Sequence, residues 1–154
     1  MEKTYVFNEK ITNLDQLKQL VDFTDPFQVS SCVVMCLCNY ANSVKDTIEM
    51  INYLKGPSPL SNYDIQFLRD RLANKPYLME SYIAGSSVEN GYTATKPYTI
   101  VVRDNPYSYQ EDGYITLYIS SSGADSDRSL KLTKKDDNWY LWQNYLMVGI
   151  RLPK

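Results

Sequence analysis

The sequence has no histidine among its 154 residues. That removes Ser-His-Asp and Cys-His nucleophilic catalysis, histidine metal clusters and imidazole pH switches, because imidazole is the side chain that titrates near neutrality. Cysteine is scarce: Cys32, Cys36 and Cys38 are all there are, and they share one short run. A tetrahedral zinc site needs four ligands, and no fourth cysteine or histidine exists to complete one. Their spacing is not the Cys-x-x-Cys of a redox pair. Reduced, buried thiols acting as small hydrophobes are the expectation. Charge of one sign is lacking too, with 16 basic against 18 acidic residues and a net charge of −2. The chain is therefore not basic in the way that coats nucleic acid or anionic membrane. Its longest apolar run, Cys32 to Cys38, falls far short of the ~20 residues that span a bilayer. The opening residues Met1 to Lys10 carry no apolar signal-peptide core. A cytoplasmic protein is expected, with neither nucleic acid nor membrane as partner. No glycine-lysine phosphate loop and no EF-hand spacing occurs, so the sequence calls for no cofactor and no metal.

What is present is a chain with 44% hydrophobic residues and fourteen tyrosines. Its length and composition predict one domain over 1–154, large enough to hide about 68–70% of its unfolded surface. The pattern changes midway. Over 1–80, after a short extended piece at Thr4 to Phe7, the apolar residues recur at helical spacing, and the starts are marked by capping residues. Asn13 caps a helix carrying Leu14, Leu17, Leu20 and Val21. Asp25 followed by Pro26 opens a second helix, where the missing proline N–H costs nothing. That helix is apolar nearly all round, from Phe27 through Tyr40, so it should lie at the centre. A third runs from Ser43 to Lys55 and stops at Gly56-Pro57. A fourth opens at Ser61 with Asp64 three residues on. The pattern weakens over 77–96, which reads as a long surface excursion.

Over 97–154 the period is two. Ile115, Leu117 and Ile119 face one side and Tyr114, Thr116 and Tyr118 the other. Asp136-Asp137 is a hairpin turn between Leu130–Leu132 and Trp139–Trp142. Trp139 shares parity with Leu141, so it is the tryptophan expected in the core. Strands following one another this closely pair antiparallel. The prediction is an α+β fold, with about four N-terminal helices packed on a C-terminal antiparallel sheet of about four strands.

Several stretches carry a family resemblance. They are Lys55 to Asp64 (KGPSPLSNYD), Phe67 to Arg71, Asp104 to Tyr109, Glu111 to Tyr114, and above all Ser121-Ser122-Gly123-Ala124-Asp125-Ser126 and Trp139-Tyr140-Leu141-Trp142. Over most of its length the chain resembles a bacterial domain-of-unknown-function family whose members come mainly from low-GC Gram-positive bacteria. Asp127 stands where that pattern implies proline. No activity is assigned to the family, so the resemblance implies no catalytic residues. The Leu130–Trp142 hairpin alone also resembles the last strands of nuclear-transport-factor-like domains.

Two constellations are candidates for function. In the Ser120–Arg128 segment, Ser121, Ser122, Gly123, Asp125, Ser126 and Arg128 compose either a backbone nest for an anion or partner, or a hairpin loop whose polar side chains satisfy its own backbone. On the loop reading, Asp125 and Ser126 hold the backbone and Arg128 reaches a carboxylate or carbonyl at the base. Tyr107, Tyr109, Tyr114 and Tyr118 make the second, an aromatic strip suited to a partner or ligand if nothing covers it. The function expected is a non-catalytic binding or interaction module taking an unidentified protein or small ligand. The alternative is an enzyme using Asp, Arg and Ser of the 120–128 loop on a small molecule.

Overall fold

The helix starts are set by local chemistry. In the computed structural model, which describes residues 1–154, Asn13, Asp25, Ser43 and Ser61 each accept a hydrogen bond from an amide of the first turn. They open helices α1 (Leu14–Leu20), α2 (Pro26–Leu37), α3 (Val44–Lys55) and α4 (Asn62–Leu72). Ser61 and Asp64 satisfy each other's backbone reciprocally. Gln16 departs from the box pattern, reaching past the cap to the Thr12 amide at 2.9 Å.

The fold is α+β, with five helices and five strands. The fifth helix, α5 (Tyr77–Glu80), is a single turn. The additional strand, β1 (Glu2–Phe7), precedes every helix, and β2 (Tyr98–Arg103), β3 (Tyr114–Ile119), β4 (Arg128–Lys135) and β5 (Asn138–Asn144) follow them all. The order is β1-β2-β3-β4-β5, antiparallel throughout, with Phe7 opposite Tyr98 and Glu2 opposite Arg103. The sheet is thus not wholly C-terminal. The extended reading of Thr4 to Phe7 falls within this strand, but its partner lies beyond all the helices, so its place in the sheet has no local mark.

The 77–96 segment is also more embedded than its pattern suggests. Leu78, Met79, Tyr82, Ile83 and Tyr92 are buried in it. An irregular backbone buries side chains without a period, so neither template could detect them.

One face of the sheet, including Ile100, Val102, Ile115, Leu117, Leu130 and Leu132, packs on the helices in a single hydrophobic cluster. Each fully buried aliphatic there is worth roughly 1.5–3 kcal/mol. Every residue of α2 from Val29 to Leu37 is buried. Burial pushes the Cys32 thiol up to about 12 and raises Cys36 and Cys38 as well. All three cysteines are free. No helix is long and apolar enough to cross a membrane.

The helical layer closes one edge of the sheet. On β5 the Trp139 amide donates to the Phe23 carbonyl at 2.8 Å, and the Lys55 ammonium donates to the Trp142 carbonyl at 3.0 Å. These bonds occupy groups that an open edge strand would present to another chain. The β4–β5 register slips between Leu132↔Leu141 and Lys131↔Gln143, so Trp142 is the extra residue of a bulge. Trp139 is half-buried against the core, whereas Trp142 is 37% exposed.

At the same joint, α3 ends on Gly56 at φ 62°. A Cβ there would collide with the Tyr140 ring, lying 2.6 Å from Cε1 and closer still to Cδ1, and that ring packs on Phe23 at 5.1 Å between centroids. Gly56→Ala should therefore cost about 2–4 kcal/mol, combining left-handed backbone strain with overpacking. Adding Tyr140→Ala should relieve only the steric share. Urea unfolding measures both, and a parental midpoint for Gly56→Ala would show that the ring yields freely.

Candidate functional site

The serine-rich loop between β3 and β4 is stitched to the segment after α5. Ser121 is buried; its hydroxyl donates to Ser81 Oγ at 2.8 Å and accepts from the Gly123 amide at 3.1 Å. The Ser122 amide donates to the Ser81 carbonyl at 2.9 Å, and its hydroxyl pairs with Ser86 Oγ at 3.1 Å. The Ala124 amide donates to the Ser121 carbonyl, and the Gly123 carbonyl accepts from the Arg151 amide. A Cβ on Gly123 would meet Ile150 at 2.8 Å, so glycine is needed for close packing. The amides of Ser122, Gly123 and Ala124 are all donated within the protein.

Arg128 does reach carbonyls at the loop's base, donating to Val148 at 2.7 Å and Gly149 at 3.2 Å. It also holds the carbonyl and hydroxyl of Ser126. Asp125 corrects the expectation. Its carboxylate is 94% exposed and accepts from Arg151 at 2.9 Å, not from the loop's backbone. A cation outside the loop outcompetes the local turn bond. Asp127 accepts from Ser120 Oγ at 2.7 Å and lies 3.6 Å from Arg103.

The four tyrosines do not form one strip. Tyr107 and Tyr109 are exposed on the loop between β2 and β3, where the Tyr109 hydroxyl donates to Asp104. Tyr114 and Tyr118 lie on the sheet face away from the helices, partly covered. The ring beside Tyr114 is Trp142, edge-on at 5.8 Å, and the Lys131 ammonium sits over Tyr114 at 5.3 Å.

Substitutions separate the side chains that hold the serine loop from those that decorate it. Ser121→Ala should cost about 1–3 kcal/mol by leaving the Gly123 amide without its acceptor. Asp125→Ala should stay within about 0.5 kcal/mol, as for exposed sites. Thermal melts giving the opposite order would refute this account of the loop.

A hollow with a largely apolar lining lies elsewhere. A groove of about 270 Å³ runs between the end of α3, α4 and the bulged part of β5. Its floor is Ile51, Leu68, Leu141 and Met147, all buried, and Phe67 forms one wall. Tyr63, Trp142 and Tyr145 stand exposed around it. The Trp142 ring is shared with the Tyr114 pair, so only this edge of the tyrosine-bearing face joins the groove.

Lys55 lines the groove and is only 9% exposed; no other lysine or arginine is buried. Its single hydrogen bond is to the Trp142 carbonyl, and no carboxylate lies within ion-pair distance. Asp64, the carboxylate lining the groove, accepts from the Ser61 amide at 2.9 Å. No three cysteines and carboxylates gather in metal-ligating geometry.

None of these groove residues stands out as a site in the sequence. Lys55 reads as an ordinary last-turn lysine, and the groove depends on the register slip at Trp142.

Burial holds the Lys55 ammonium below the ordinary lysine range, with Asp64 opposing weakly. The folded chain then binds this proton less tightly than the unfolded chain does. Stability from this group rises with pH from the lowered value towards about 10.4, the unfolded value. The melting-temperature difference between the parent and Lys55→Met should accordingly shift in the parent's favour across that window. A difference independent of pH would contradict the burial of the charge.

A protein family described as Domain of unknown function (DUF6935) matches residues 9–154. No curated protein and no solved structure matches the chain.

Proposed function

Because the chain belongs to the DUF6935 family, a domain of unknown function, its role has to be read from its own surface, and we propose a non-catalytic binding module whose ligand lies in the groove between α4 and β5. One observation carries the reading: a buried apolar floor is surrounded by exposed Tyr63, Trp142 and Tyr145. Exposing large rings beside an apolar hollow is unfavourable unless something covers them. The volume, about 270 Å³, sits near the lower end of ligand pockets. A small molecule with a flat apolar body fits that space better than a protein surface does.

The groups facing the groove favour binding over turnover. Acid–base catalysis requires a group free to reach the proton it moves. Here the ammonium of Lys55 already donates to a carbonyl, and Asp64 is engaged as a helix cap. The acids of the alternative enzymatic reading, Asp125 and Asp127, face Arg151 and Arg103 at the surface.

An NMR screen with phenyl- and indole-bearing fragments tests the proposal. Hits should shift the Trp142 indole and the Met147 methyl while sparing Trp139. Trp142→Ala, at a half-exposed position, should weaken binding by about 3- to 10-fold, the worth of one aromatic contact. Fragments that bind elsewhere, or that bind this variant as well as the parent, would overturn the assignment.

A further inference from the structure

Lys55 presents an electrostatic problem that the protein does not solve alone. Taking an ammonium out of water is costly, and buried charges are ordinarily paired. Here the Trp142 carbonyl takes one of three N–H donors, and no carboxylate lies within ion-pair distance, Asp64 acting only from farther along the groove. A carbonyl dipole does not neutralise a cation.

The neighbouring polar groups have the same bias. The Gln143 Oε1 accepts from the Tyr145 hydroxyl at 2.5 Å, and the Asn144 Oδ1 accepts from the Leu146 amide at 3.3 Å. Both amide oxygens are engaged, and neither NH2 group donates within the protein. The groove lining therefore holds one cation and two amides with unengaged NH2 groups beside an apolar floor. Asp64 is the exception, and its bond to the Ser61 amide fixes it as a cap.

We infer that the groove takes a small apolar monocarboxylic acid, its carboxylate paired with Lys55 and its body lying against Phe67 and Trp142. This rests on the binding reading of the same groove and adds the ligand's chemical class. With a single cation and the Asp64 side chain both lining the groove, a singly charged carboxylate suits it better than a phosphate dianion. A carboxylate also brings four acceptor sites to a donor-rich rim.

The test compares hydrocinnamate with its neutral amide, hydrocinnamamide, by calorimetry and by the Trp142 indole resonance. The acid should bind the parent at least about tenfold more tightly than the amide, the gain of a charge-assisted hydrogen bond. Lys55→Met should erase the preference, bringing the acid down to the amide's affinity, and Lys55→Arg should retain it. If Lys55→Met fails to fold, Lys55→Gln makes the same comparison. Equal binding of acid and amide at Trp142 overturns the carboxylate inference while the groove reading stands. Absence of any Trp142 shift with either compound, or with the fragments above, overturns both. Binding of a peptide ending in a free phenylalanine carboxylate, without binding of hydrocinnamate, overturns the choice of a small molecule.

Discussion

Burial of α2 from Val29 to Leu37 is the constraint on which the remaining structure depends. A helix apolar on all sides has to be surrounded. The sheet supplies one side, and α3 and α5 pack against it elsewhere. Its polar residues do not disturb this, because Ser30 and Ser31 return their hydroxyls to the carbonyls of Pro26 and Gln28. Its cysteines are compatible for the same reason that they are unreactive: burial suppresses the thiolate. With α2 fixed, the other elements have few places to go.

Much of this was legible because it is written locally. The caps at Asn13, Asp25, Ser43 and Ser61 lie within three residues of the amides they serve. The inward set Ile115, Leu117 and Ile119 follows from alternation alone. The failures share the opposite property. Strand β1 pairs with a segment on the far side of every helix. Ser121 is held by Ser81, and Asp125 is drawn off by Arg151; neither partner is near in sequence. The groove was hidden for a further reason. It arises where a register slip turns Trp142 outward beside α4, and a bulge leaves no mark in a pattern of period two.

The edge of β5 and the groove are parts of one arrangement. Phe23 closes one end of the strand with a carbonyl, and Lys55 closes the other with a cation. A neutral donor would have closed it without the cost of burying charge. The ammonium occupies the strand edge and gives the hollow its polarity, so the group that discourages strand addition also defines what the hollow can hold.

The position of β1 also sets the order of assembly. Strands β2 to β5 follow one another through short connections, and α2 can collapse onto them early. Strand β1 meets β2 across all the intervening helices. Closing so long a loop has to precede any gain from the pairing, and contacts of that kind slow folding. Once docked, β1 is tied to the start of α2 by the Tyr5 hydroxyl, which donates to Asp25 at 2.6 Å. The strand that is synthesised first therefore stays without its partner until every helix has been made.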